Sequence, residues 1–131
     1  MNLKDAIDSG LIRVVPPNRA RAESLRKASL ESLEVINQIP LTEKSSKIIL
    51  RDLYECLRQH IEAEGFENGY KSENHDSLRY IIDEVIKKHS LLKDFDKLRR
   101  LRNGINYYGD DVNIETVKYY LEKVPEMIKQ L

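Results

Sequence analysis

Between Pro40 and Gly65 the chain has no glycine or proline, and Leu50, Leu53, Tyr54, Leu57 and Ile61 recur three and four residues apart. Side chains at that spacing stack on one face of an α-helix. Ile48, Ile49 and Cys56 widen the face beyond the stripe of a surface helix, so this helix is expected at the centre of a bundle. Thr42 is its expected N-cap and Gly65 its expected stop.

The segments on either side supply helices to pack against it. A helix from about Asn18 to Gln38 turns Ala22, Leu25, Ala28, Ser32, Leu33 and Ile36 inward and ends at Ile39-Pro40. Its cations Arg19, Arg21, Arg26 and Lys27 are read as a solvated face. Residues 65–76 form a loop with two glycines, two asparagines and two aromatics, a composition that suits an ordered, packed loop. A helix over about 76–88 follows, with Leu78, Ile81, Ile82, Val85 and Ile86 inward, and His75 is placed as its cap. Two further helices begin near Leu91 and at Asn113. In the last one Ile114, Val117, Leu121, Val124, Ile128 and Leu131 form a heptad-like seam that Pro125 should kink or shift.

Only 5 Gly and 4 Pro among 131 residues, with 34% charged and 40% hydrophobic, fit the same conclusion. The expected fold is all-α, a four- to five-helix up-down bundle over 18–131. A lead-in of residues 1–17 precedes it, ending in Leu11-Ile12-Arg13-Val14-Val15 and Pro16-Pro17. The lead-in is expected to pack across the domain or onto a partner subunit.

Several function classes drop out. Lys+Arg and Asp+Glu both number 22, so no global basic field marks a nucleic-acid binder and any such site must be local. Lys93, Lys97, Arg99, Arg100 and Arg102, set against Asp94 and Asp96, make one local patch. Cys56 stands alone, which excludes an intramolecular disulfide and a cysteine-based zinc site. His60 has no second histidine at ligand spacing and is read as structural, so no metal or cofactor is expected. No run approaches the roughly 20 apolar residues of a membrane span. The first residues lack an apolar signal core, so a cytoplasmic protein is expected.

Chemistry concentrates in Lys97-Leu98-Arg99-Arg100-Leu101-Arg102-Asn103-Gly104-Ile105-Asn106-Tyr107-Tyr108-Gly109. At about 100° per residue from Leu98, Leu101, Ile105 and Tyr108 fall at about 300°, 340° and 280°, one apolar stripe. Arg102, Asn106 and Arg99 fall at about 40°, 80° and 100° and border it. An arginine beside a buried stripe is costly unless something pairs with it. Its five fixed donors, with carboxamides nearby, suit a phosphate or a carboxylate. Arg99, Arg102, Asn103, Asn106 and Tyr107 are therefore the candidate ligand-binding residues. The Tyr107-Tyr108 and Tyr119-Tyr120 pairs add a weaker hint of an aromatic platform, against their reading as packing residues.

A long apolar helix, a Gly-Tyr/His loop entering the next helix, an Arg-Asn dipeptide late in the one after and a closing amphipathic helix occur in that order. Over 18–131 the chain resembles the HEPN superfamily (higher eukaryotes and prokaryotes nucleotide-binding domain), helical bundles found in toxin–antitoxin and other RNA-targeting systems. Arg102-Asn103 resembles the start of that family's motif, an arginine and a histidine separated by four to six residues. The resemblance implies a homodimer with a metal-independent endoribonuclease centre at its cleft, the arginine holding the scissile phosphate and the histidine assisting the 2′-OH. It also implies a small nucleotidyltransferase-like protein as a partner.

The chain departs from the motif where the histidine should stand, since Tyr107 occupies that region and no histidine follows His89. No catalytic residue is assigned, because a phenol with an ordinary pKa of about 10 is a poor proton shuttle at neutral pH. Three readings follow. The first is a catalytically degenerate HEPN-like module that binds RNA, a nucleotide or a protein. The second is an active ribonuclease that uses Tyr107 or borrows His75 or His89. The third is a structural bundle in which Arg99 and Arg102 pair with acids such as Glu62, Glu64, Asp83 or Glu84.

Overall fold

The computed structural model describes residues 1–131. It is mostly helical, in the order α1 (Leu3–Asp8), β1 (Ile12–Val14), α2 (Arg19–Ile36), α3 (Glu43–Glu67), β2 (Tyr70–Ser72), α4 (Leu78–Tyr80), α5 (His89–Tyr108) and α6 (Ile114–Lys129). Helix α3 is central, with α2, α6 and α5 packed around it. Leu50, Leu53, Tyr54, Leu57 and Ile61 are wholly buried, as the periodicity requires, and Ile49 and Cys56 join them. Ile48 instead faces outward. Thr42 caps α3 reciprocally with Ser45.

Gly65 does not stop α3. The helix runs on to Glu67, and Gly65 is buried in its last turn, where a Cβ would stand 3.0 Å from the Tyr70 carbonyl oxygen. Glycine is there to let β2 approach the helix, not to end it.

The bundle also holds a two-stranded antiparallel sheet. β1 pairs with β2 in the register Ile12↔Ser72, Arg13↔Lys71, Val14↔Tyr70. The lead-in thus packs across its own domain, and Ala6 and Ile12 sit in the same core as the helices. Gly69 sets the turn into β2 at φ +87°, and a Cβ there would lie 2.9 Å from the Val15 carbonyl oxygen. Gly69→Ala combines left-handed strain with that clash and should cost about 2 kcal/mol. Urea unfolding checks this, and an unchanged midpoint would mean the lead-in does not depend on this close approach.

Three other expectations shift. Helix α2 buries Ser29 rather than Ser32, because the Ser29 hydroxyl donates to the Cys56 carbonyl (2.8 Å) and meets His60 Nδ1 (2.8 Å). The helix expected over 76–88 is α-helical only from Leu78 to Tyr80. It continues as a π-helical turn, Ile81–Ile86, and ends at Lys87 in the left-handed region. Leu78, Ile81 and Ile82 are buried, while Val85 and Ile86 are half-buried. Helix α6 continues through Pro125 and buries Tyr120 and Met127 beside Val117, Val124 and Ile128.

Candidate functional site

The stripe on α5 is centred differently from the expectation. Phe95 is wholly buried beside Leu91 and Leu98, whereas Tyr108 is exposed. At about 100° per residue Phe95 lies about 60° from Leu98, on the side of Arg102. Arg102 therefore stands within the buried face instead of at its border. Its side chain is 15% exposed.

Little in the protein satisfies this guanidinium. Nη1 donates to Asn103 Oδ1 at 3.0 Å, and the one nearby carboxylate, Glu55, is 4.0 Å from Nη2. The Arg102 Cζ lies 5.1 Å from the centroid of the Tyr54 ring, a cation–π contact. The other arginines here have carboxylates closer than 4.0 Å, although Arg99 Nε itself makes no hydrogen bond. Arg58 pairs with Glu55 (2.6 Å) and Glu62 (2.7 Å), and Arg99 with Asp76 (2.7 Å) and Asp96 (3.6 Å).

The acids expected to neutralise Arg99 and Arg102 are engaged elsewhere. Glu62 holds Arg58, Glu64 holds Arg26, Asp83 meets His89, and Glu84 accepts from the Leu3 amide. Arg99 thus has the structural role, with Asp76 and Asp96 as its partners, and Arg102 keeps most of its donors free.

Arg102 opens into a cleft of about 470 Å³. Helix α5 contributes Arg102, Asn103 and Tyr107, and the turn before α4 contributes Glu73, Asn74, His75 and Asp76. The two acids do not make the cleft anionic, because Arg13 pairs with Glu73 (2.8 Å) and Arg99 with Asp76. Of the five candidate residues, Arg102, Asn103 and Tyr107 come together. Arg99 acts from behind through Asp76, and Asn106 faces Arg51 of α3, its Oδ1 3.5 Å from Nη1.

Two residues that the motif did not point to complete the site. His75 does not cap α4, whose N-cap residue is Ser77 and which has no side-chain cap; Asn74 Oδ1 accepts from the Ser77 amide (2.8 Å) within the preceding turn. The imidazole instead lines the Arg102 cleft and packs on Tyr54, ring centroids 5.7 Å apart. Burial, then the nearby Arg58 and Arg102 charges, push its pKa below the usual histidine value. His75 is thus neutral at pH 7 and able to accept a proton. His89 lies at the far end of α5, thirteen residues or about 20 Å from Arg102 along the axis.

Tyr54 is the second. Its ring lies between His75 and Phe95 and under Arg102, and its buried hydroxyl has no hydrogen-bond partner. Burial raises its pKa, so the phenol stays protonated. An unpaired buried hydroxyl costs about 1–3 kcal/mol. Tyr54→Phe should therefore leave stability unchanged or raise it by about 1 kcal/mol, read by thermal and urea unfolding. A clear loss of stability would mean that the hydroxyl is satisfied in solution.

His60, read from sequence as structural, has that role through Ser29. Burial lowers its pKa as it does that of His75. A histidine with a depressed folded pKa binds fewer protons folded than unfolded. Its stabilising contribution is complete above the unfolded value of about 6.5 and is lost as pH falls from there through the folded pKa. The melting temperature should fall between pH 7 and pH 5, and His60→Gln should flatten that fall. An equally steep fall in the variant would assign the effect to other groups.

No group of three or more His, Cys, Asp or Glu side chains is placed to hold a metal ion. No helix is long and apolar enough to cross a membrane. The chain matches no protein-family model, no curated protein and no solved structure.

Proposed function

We propose that this chain is a HEPN-like module that binds a phosphate group, in RNA or a nucleotide, at the Arg102 cleft. One observation carries the reading: an arginine 15% exposed, with a single protein hydrogen bond and no carboxylate closer than 4.0 Å. A guanidinium withdrawn from water is stable when an anion fills its fork, and a phosphate supplies two acceptor oxygens in matching geometry. Asn103 adds an amide, and Tyr107, exposed on the cleft wall, offers a face on which a base can stack. The resemblance to the HEPN superfamily adds a homodimer and a nucleotidyltransferase-like partner to the proposal.

His75 favours a second reading, a metal-independent endoribonuclease. A neutral imidazole in the cleft can take the proton of a ribose 2′-OH as that oxygen attacks phosphorus. Arg102 would hold the non-bridging oxygens on which charge builds, while the 5′ oxygen departs with a proton from water. The product ends would be a 2′,3′-cyclic phosphate and a 5′-hydroxyl.

Binding and cleavage of single-stranded RNA, measured side by side with chelator present, separate the two. Binding without cleavage is the result expected of the first reading. Cleavage that disappears in His75→Ala while binding persists establishes the second. Neither binding nor cleavage would remove both and leave the cleft a structural feature.

A further inference from the structure

The basic patch of α5 divides in three dimensions. Arg102 turns inward to the cleft, and Arg99 lies behind it on Asp76. Lys93, Lys97 and Arg100, spaced i, i+4 and i+7, form an exposed row on the outer face of the same helix. The carboxylates of α5 do not serve them, since Asp94 pairs with Lys123 (3.5 Å) and Asp96 with Arg79 and Arg99. Half-buried Leu101 and exposed Tyr108 lie along the edge of that row.

A complementary surface lies on α2 and α3. A groove of about 430 Å³ runs between these helices, with Ala28, Val35 and Ile36 in its apolar lining and Glu31, Asp52 and Glu55 among its acids. Asp52 has no cation within ion-pair distance, and Glu31 has only Lys27 at 3.9 Å. Val35 is 60% exposed, and Ile48, one turn before Asp52, is 49% exposed. Two charge patches of opposite sign, the basic row without ion pairs and the acidic groove with Asp52 unpaired and Glu31 held only at 3.9 Å, thus coexist on a chain of zero net charge, each with apolar flanks.

We propose that the α2/α3 groove receives the outer face of α5 from a second copy of this chain. Lys93, Lys97 and Arg100 would meet Glu31 and Asp52, while Leu101 and Tyr108 would cover Val35 and Ile48. The two patches differ, so the contact is made twice in a two-fold dimer or repeats head to tail in a chain of copies. The inference deepens the homodimer of the proposed function; neither patch includes Arg102 or His75, so a monomeric chain would overturn it and leave the phosphate site standing.

Light scattering on the full chain tests it, across salt from about 0.05 to about 0.5 M. The wild type is expected to self-associate at low salt and to weaken roughly tenfold or more at high salt, since the contact is built on exposed charge. Glu31→Lys with Asp52→Lys, and separately Lys97→Glu with Arg100→Glu, should each give a monomer. Mixing the two variants should restore association, because each then presents the charge that the other lacks. The neutral pair Lys97→Gln and Arg100→Gln gives the same readout with less disturbance of the helix.

A monomeric wild type at low salt would overturn the proposal, as would association indifferent to these reversals. A third outcome would also overturn it: Lys97→Glu with Arg100→Glu lowering RNA affinity while association is unchanged, which would make the row a nucleic-acid contact.

Discussion

Arg102→Met is expected to weaken binding of single-stranded RNA by roughly 30- to 100-fold while leaving the fold intact. A hydrogen bond to a charged group contributes about 1.5–3 kcal/mol, and a phosphate seated on the guanidinium fork would lose at least one such bond. The salt dependence should change too: with one phosphate contact removed, the slope of log affinity against log salt falls by about 1. Stability should fall by about 1–2 kcal/mol, because the arginine gives up the Asn103 bond, a 4.0 Å approach to Glu55 and the cation–π contact with Tyr54. Methionine keeps much of the apolar volume of the arginine stem. Anisotropy titrations at two salt concentrations, paired with thermal melts, check all three. Unchanged affinity would show that Arg102 does not hold the phosphate.

Arg99→Met should behave in the opposite way. Arg99 holds Asp76 at 2.7 Å and so ties the turn carrying His75 to α5. Its loss should lower stability and disturb His75, with a smaller direct effect on phosphate binding. The two arginines are three residues apart, both border the apolar stripe in sequence, and both are mostly buried. Only their partners distinguish them, and those partners lie 23 and 47 residues away along the chain.

That contrast marks what the sequence discloses. The apolar face of α3 is legible because its spacing is local and unbroken. The heptad-like seam of α6 is legible for the same reason, although Tyr120 and Met127 widen the buried face. The strands are not legible. Ile12–Val14 and Tyr70–Ser72 are three residues each, too short for alternation to show, and they pair only after α2 and α3 return the chain. Gly65 reads as a helix stop by local rules, but its reason is the Tyr70 carbonyl beyond the helix end. The site divides along the same line. Arg102, Asn103 and Tyr107 are consecutive enough to be read together, whereas His75 and Tyr54 reach the cleft from other elements. Phe95 is the informative miss, because it lies just outside the motif and shifts the buried face of α5 toward Arg102.

Phe95→Ala is the other substitution expected to have a large effect, about 3–5 kcal/mol of stability. Phe95 is wholly buried, and its ring stacks on Tyr54 with centroids 5.8 Å apart and planes 25° from parallel. Truncation removes the transfer energy of the ring and leaves a void in the layer between α3 and α5. For a chain of this size the loss amounts to a fall in melting temperature of roughly 10 °C or more. Phe95→Leu refills much of the space and should cost about half as much or less. The void also touches the site, since the Tyr54 ring that Phe95 supports contacts Arg102 on one side and His75 on another. In Phe95→Leu, still folded, the His75 ring protons should shift in NMR spectra as Tyr54 relaxes toward the vacated space, while those of His89 stay in place. A destabilised variant with an unmoved His75 would separate core from cleft, leaving the ion pairs Arg99–Asp76 and Arg13–Glu73 as what positions the imidazole. A shifted His75 would show that the aromatic layer sets the stability of the bundle and the placement of His75 together.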